Sequence, residues 1–251
     1  MNRRDFSKAL LSAIASHALL ESAWASHSFT GSIAPLTSHW VLQLNQYCAD
    51  LKTTTINPIE WQQLVRPLFE EIELPELMRF IDFDRLRKSF NFPDLGVSTS
   101  HVKFPKLNGL PENTCYIKKI FGMQKNRAII PHGHSNMTSA HLVLSGVMHL
   151  RHYNKIRIDG QHLIIQPTID KNVMPGDFSS ISDDQDNVHW FIAKSDHAFT
   201  FDVIVLDLNQ RPFEIHNLDI LESQSIGDGT QRVPILNVSS ALKKYGKLQH
   251  H

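Results

Sequence analysis

Residues 131–153 read PHGHSNMTSAHLVLSGVMHLRHY, and this stretch decides the fold. It holds five of the chain's fifteen histidines. His132 and His134 are two apart. On a strand, residues i and i+2 point to the same face, so both imidazoles can meet one metal ion. Short β-rich runs surround the pair, at residues 116–121, 128–130, 141–153, 162–166, 178–181, 188–193 and 199–208. Asp159-Gly160, Pro175-Gly176 and Asp183-Asp184 punctuate them as turns.

Upstream, over residues 38–92, the apolar spacing is helical. Asn57-Pro58-Ile59-Glu60 has the form of a helix start, with Asn57 as cap, Pro58 in the first turn and Glu60 reaching back. Trp61, Leu64, Val65, Leu68, Phe69 and Ile72 then mark one buried stripe. An earlier helix uses Val41, Leu44, Cys48 and Leu51, and a later short one uses Phe83, Leu86 and Phe90. A helical block followed by many short strands predicts an α+β chain, mainly β, whose C-terminal part is a barrel or sandwich. The expected layout is a leader over residues 1–25, a helical N-terminal region over 36–95 packed on the barrel, the barrel over 100–215, and a polar tail over 216–251. The most the tail promises is a short helix near residues 240–245.

Composition bounds the function. Lys plus Arg total 25 and Asp plus Glu total 25, a formal net charge of zero over 251 residues. A nucleic-acid binder needs a basic surplus against phosphate, so none is expected as partner. Hydrophobic residues at 41% and charged ones at 20% fit a folded domain rather than a disordered chain. Two cysteines exclude a disulfide-built miniprotein or a Cys-rich zinc module. No apolar stretch reaches the roughly 18–20 uncharged residues of a membrane span.

The first residues, MNRRDFSKALLSAIASHALLESAWAS, give a charged region, an apolar run and Ala23-Trp24-Ala25 as a cleavage site. This order resembles a twin-arginine export signal. It predicts a periplasmic location, with the twin-arginine machinery as a partner during secretion. That route carries folded proteins, often around a cofactor. Cys48 and Cys115 would then sit where a disulfide is allowed but not required.

A third histidine on a neighbouring strand would complete a facial metal set and leave positions open for substrate. His189 is the candidate, after Pro175-Gly176-Asp177 and within Asn187-Val188-His189-Trp190-Phe191. The arrangement resembles the cupin superfamily, a double-stranded β-helix with metal ligands inside the barrel. The first cupin motif carries H-x-H, usually a Glu, and a Gly before the next strand. Gly146 stands where that motif ends, and Ser139 stands where the Glu would be.

Without the Glu, the chain resembles three-His thiol dioxygenases, of the plant cysteine oxidase and animal 2-aminoethanethiol dioxygenase type. Their H-D-H-P-G-M-T, L-x-G and H-V-K-S-Y blocks are similar to His132–Thr138, Leu144-Ser145-Gly146 and His149-Leu150-Arg151-His152-Tyr153. Their G-N-I-H-x-F-x-A and L-D-V-L blocks are similar to residues 187–193 and to Phe201-Asp202-Val203-Ile204, with one extra residue between. The likeness spans roughly residues 115–208. Ser135-Asn136 replaces the Pro-Gly of those proteins, and their later P-P-Y has no counterpart.

The resemblance implies a mononuclear Fe(II) held by His132, His134 and His189, with zinc, copper or nickel as other metals such a site accepts. It implies that Asp202 orients a ligand imidazole through its other nitrogen; a plain strand-end carboxylate is the equal alternative. It makes Tyr153 a positioning group and Arg151 a candidate for a substrate carboxylate. His141 shares strand parity with Ser139 and reads as a hydrogen-bonded neighbour of the site; His149 reads as structural. The implied reaction joins O2 to the sulfur of cysteine, a small aminothiol or an N-terminal-Cys peptide, giving a sulfinate. Two other readings stay open: a metal-dependent cupin acting on a non-thiol small molecule, and a non-catalytic periplasmic metal or ligand binder.

Overall fold

The computed structural model describes residues 35–248. The expected leader over residues 1–25 lies outside the described residues. Four helices come first: α1 (Pro35–Lys52), α2 (Pro58–Glu70), α3 (Leu74–Phe80) and α4 (Phe83–Lys88). The start of α2 is a capping box, in which Asn57 Oδ1 accepts from Glu60 N at 2.9 Å and Glu60 Oε2 accepts from Asn57 N at 2.8 Å. Trp61, Val65, Leu68 and Phe69 form its buried stripe; Leu64, expected in the stripe, lies at its exposed margin.

Twelve strands follow: β1 (Ser98–His101), β2 (Ile117–Met123), β3 (Ala128–Ser135), β4 (Thr138–Ser145), β5 (Met148–Asp159), β6 (His162–Val173), β7 (Phe178–Ile181), β8 (Val188–Ala193), β9 (Ala198–Val205), β10 (Glu214–Leu218), β11 (Gln224–Gly227) and β12 (Thr230–Leu236), before a last helix α5 (Val238–Tyr245). One sheet has the order β1-β2-β9-β4-β7 and the other β10-β3-β8-β5-β6-β12-β11. From β2 to β5, and again from β6 to β10, sequential strands alternate between the two sheets, and the inner faces meet where His141 of β4 lies 5.1 Å, ring to ring, from His189 of β8. This is a double-stranded β-helix, mainly β with N-terminal helices.

Three apolar clusters follow from strand alternation. The outer face of the five-stranded sheet carries Ala140, Leu142, Phe178, Phe199, Phe201 and Val203, and the four helices cover it. Phe69 stacks on Phe178 at 5.0 Å, and Phe83 meets Phe199 edge-on at 5.3 Å. Between the sheets, Ile129, Val143, Met148, Leu150 and Phe191 make an apolar floor.

The third cluster was not foreseen. β10 pairs with β12 as well as with β3, and β12 pairs with β6. The strands β10-β3-β8-β5-β6-β12 therefore form a closed circuit of pairings. Leu163, Ile165, Val188, Trp190, Leu218 and Val233 pack on this side of the sheet. The segment after Asn217 is thus not a polar tail. Its strands are short, and its apolar residues serve a single side, so the signal per strand is weak; closure of the sheet holds them. Helix α5 runs over Val238–Tyr245, and its Tyr245 meets Trp190 edge-on at 5.4 Å.

Between β4 and β5 the chain turns at Gly146, with φ +80°. A Cβ there would lie 2.7 Å from Ser195 Oγ and 2.8 Å from Ala198 Cα, and a backbone atom cannot yield cheaply. Gly146→Ala should lower the unfolding free energy by about 2–4 kcal/mol, combining left-handed strain with overpacking. The measurement is a urea midpoint shift at unchanged slope.

Candidate metal centre

His132 and His134 leave β3 on its inner face. Cross-strand register sets His132 directly opposite His189 of β8, and His189 opposite His152 of β5. Ring centroids of His132 and His189 are 4.2 Å apart, of His132 and His134 4.6 Å, and of His134 and His189 5.1 Å. One ligand nitrogen from each of the three lies within 4.8 Å of the others. The three expected ligands are therefore brought together, close enough to hold one metal ion.

Tautomer and charge suit that task. His132 Nδ1 lies 2.7 Å from the Ile130 carbonyl, which can only accept, so Nδ1 carries the hydrogen and Nε2 keeps its lone pair. Both nitrogens of His134, and Nδ1 of His189, are buried without a hydrogen-bond partner. Buried polar atoms rarely go unpaired, and a bound cation satisfies one nitrogen of each ring. Burial pushes His132 down to about 4 and holds His134 and His189 well below their ordinary value, with the neighbouring imidazoles adding to the effect. The neutral form is the one that ligates. Three neutral nitrogens fit a borderline divalent ion such as Fe(II), zinc, copper or nickel.

The backbone around His134 is held from two sides. The β3–β8 ladder is irregular between Ile129 and His132, and the Asn187 side chain takes over beyond it. Asn187 Oδ1 accepts from His134 N at 2.9 Å, and its Nδ2 donates to the His134 carbonyl at 3.1 Å. Gly133 is required here, since a Cβ would come within 2.9 Å of Asn187 Oδ1. Lys155 of β5 also donates to the His134 carbonyl. After β3 the chain turns at Asn136, with φ +60°, a conformation Asn tolerates in place of glycine.

On the facing sheet, Lys119, Asp202 and His141 are cross-strand neighbours on the inner face. Asp202 Oδ2 accepts from His141 Nδ1 at 2.7 Å, and Ser139 Oγ lies 3.0 Å from His141 Nε2. Asp202 therefore orients His141, not a ligand imidazole, which corrects the role the resemblance implied. Both His141 nitrogens are engaged within the protein, so His141 is a neighbour of the metal set. With Nδ1 donating to the carboxylate, His141 Nε2 is the atom that meets the Ser139 hydroxyl. Burial pushes the Lys119 ammonium down to about 8, opposed by the Asp202 carboxylate.

Arg151 and Tyr153 do not join the site. Arg151 pairs with Trp190 and Tyr153 with Val188, one residue out of phase with His152 and His189, so both leave the sheet on its other face. The Arg151 guanidinium lies 5.0 Å over the Trp190 ring and its Nε is 3.0 Å from Asp170 Oδ2. Tyr153 is buried among Leu163, Ile165 and Val188. His149 is on the same outer side, paired with Asp170. Sequence reading missed His152, which is fully buried and lies 6.2 Å, ring to ring, from His189. Its signal was available: Met148, Leu150 and His152 alternate along one strand face.

No family model matches the chain, and no curated protein is similar to it. Similar solved structures include a protein with a double-stranded β-helix domain from Klebsiella pneumoniae (13% identity, 51% of this chain and 90% of that one, TM-score 0.35). A cupin superfamily protein from Desulfitobacterium hafniense is similar at 10% identity, over 49% of this chain and 88% of that one, with TM-score 0.32. Procruciferin, an 11S globulin from Brassica napus, is similar at 14% identity over 51% of this chain, with TM-score 0.34; the match spans 28% of the globulin. No helix among the described residues is long and apolar enough to cross a membrane.

Two outcomes test the centre. Burial holds His132 at about 4 and His152 at about 3, below the ordinary 6.5 of an unfolded chain. The unfolded chain therefore binds protons that the fold rejects. Stability of metal-free protein is complete above about pH 6.5 and falls as pH drops toward 3, by about 1.4 kcal/mol per pH unit for each such imidazole. Urea midpoints at stepped pH check this, and a flat profile between pH 6 and 4 contradicts it. Asn187→Ala should cost about 1–3 kcal/mol by unpairing His134 backbone groups, and weaken metal binding roughly tenfold or more in a chelator competition. The described residues thus carry a double-stranded β-helix with a three-histidine cluster that can bind a metal ion.

Proposed function

We propose that the protein is a non-haem iron thiol dioxygenase that converts cysteine, a small aminothiol or an N-terminal-Cys peptide to its sulfinate. The observation that carries the reading is a ligand set of three neutral imidazoles with no carboxylate among them. Iron, when bound there, supplies an uncompensated positive charge that favours a thiolate over a thiol, together with the redox chemistry that brings dioxygen to sulfur. His132, His134 and His189 hold it. Lys119 and Asp202, of opposite charge, are cross-strand partners on the facing sheet.

Ser139 Oγ shares a hydrogen bond with His141 Nε2 and, whichever of the two donates, keeps a lone pair to accept from an S–H or N–H group. Phe191 and Leu150 below the histidines exclude water from the floor of the barrel. Holding both reactants at one centre turns their encounter into an internal step. The reaction balances without a further reductant: the thiol loses its proton, two S–O bonds form as the O–O bond breaks, and sulfur loses the four electrons that dioxygen gains.

Export by the twin-arginine route to the periplasm belongs to the same proposal and rests on Arg3, Arg4 and the Ala23-Trp24-Ala25 site. The decisive experiment is metal analysis of untagged protein, then oxygen uptake and mass spectrometry with a thiol panel. Iron-loaded protein should give products two oxygen atoms heavier than the thiol. No sulfinate from iron-replete protein across the panel overturns the reading. Turnover of a diol or diketone instead assigns a non-thiol cupin, and tight copper or nickel without turnover assigns a binder.

A further inference from the structure

His152 has the signature of a residue with a partner still to come. It is 0% exposed, and neither Nδ1 nor Nε2 has a hydrogen-bond partner. Leaving a buried polar atom unpaired costs about 1–3 kcal/mol, which a purely structural position avoids by carrying an apolar side chain. Its inner-face neighbours along β5, Met148 and Leu150, are apolar. His134 shows the same pair of orphaned nitrogens, and there the metal set explains one of them.

The metal does not explain them at His152. The set is built from two adjacent strands, β3 and β8, whereas His152 sits on the next strand, β5, directly opposite His189. Each strand adds about 4.8 Å. His132 and His152 are therefore two strand spacings apart, and the clustered ligand nitrogens within 4.8 Å of one another are those of His132, His134 and His189. One strand beyond the ion is the right distance for the far end of a small molecule bound at the ion. His141 and His152 both contact the rings of His189 and Phe191, so the place is bounded by imidazoles above an aromatic floor.

We propose that His152 is a substrate-contacting residue, hydrogen-bonding the polar group that a small bifunctional substrate carries beyond the atom held at the three-histidine set. The inference rests on the metal-site reading above and narrows its substrate class. Neutral imidazole offers one N–H donor and one nitrogen acceptor. It matches a hydroxyl or an amine, each of which donates and accepts. The favoured class is a compound with a metal-binding head and a hydroxyl or amino end, over the same head on a plain alkyl chain.

The test uses full-length protein loaded with cobalt(II), whose visible bands report ligand binding without turnover. Wild-type protein should bind 2-mercaptoethanol about tenfold more tightly than ethanethiol, equivalent to about 1.4 kcal/mol, and glycolate more tightly than acetate. His152→Leu should bind one cobalt per chain, as wild type does, and lose both preferences. His152→Gln, which keeps a donor and an acceptor, should retain part of them. His152→Phe replaces the Leu variant if that protein does not fold. Preferences that survive in the apolar variant, no preference in wild type, or loss of cobalt from the variant each overturn the proposal. Silence of both thiols with an intact, His152-dependent glycolate preference overturns the thiol reading and leaves His152 as a contact for another bifunctional ligand.

Discussion

The pairing of His132 with His189 across β3 and β8 is the constraint on which the site depends. A strand offers two imidazoles to one ion only through i, i+2 spacing, and a third must come from an adjacent strand at matching height. A one-residue slip in that register would send His189 to the opposite face among Trp190 and Val188. The ladder is irregular just before the pair, so its register is secured from elsewhere. Asn187 does this by bonding both the N–H and the carbonyl of His134, and β10 pairs with the other edge of β3 from His132 to Ser135. The C-terminal strands thus act on the metal site without contributing a ligand.

That arrangement explains why β5 carries two kinds of residue. Its inner face gives Leu150 and His152 to the barrel. Its outer face gives Arg151 and Tyr153 to the side lined by β6, β8 and β12. Arg151 over Trp190, Tyr153 against Leu163, and Trp190 against Tyr245 stabilise the sheet from outside. Period-two alternation makes the two faces chemically independent, so adjacent residues in one short motif belong to different parts of the molecule.

Much of this was legible in the sequence. The capping box at Asn57, the helical stripe behind it and the short strands separated by Gly and Asp turns rest on local chemistry, which a single sequence displays. His132, His134 and His189 were legible because i, i+2 spacing has a direct geometric meaning. The misassigned residues share one cause. Arg151, Tyr153 and Asp202 were judged by chemical type and block likeness, and their roles depend on which face or partner the fold supplies. Asp202 faces inward as expected, yet its partner is His141, sixty-one residues away on a paired strand. The closing strands β10 and β12 were illegible because their pairing is wholly non-local.

The interior also shows how a neutral ligand set is kept neutral. A carboxylate among the ligands would cancel part of a metal's charge directly. Here the one carboxylate of the row opposite, Asp202, is set back behind His141 and Ser139 and shares its wall with Lys119. Its charge is spent on holding the His141 ring through Nδ1–H, which in turn sets Nε2 against the Ser139 hydroxyl. The dipoles facing the centre are therefore ordered before any ligand arrives, and ordering them in advance avoids a reorganisation cost at the moment of binding. Ser139 occupies the strand position where a glutamate ligand would stand, so the same site on β4 that would otherwise supply charge instead supplies a hydroxyl held against His141. A metal held by such a set retains its full pull on an incoming anion, while the protein controls which hydrogen-bonding groups can accompany it.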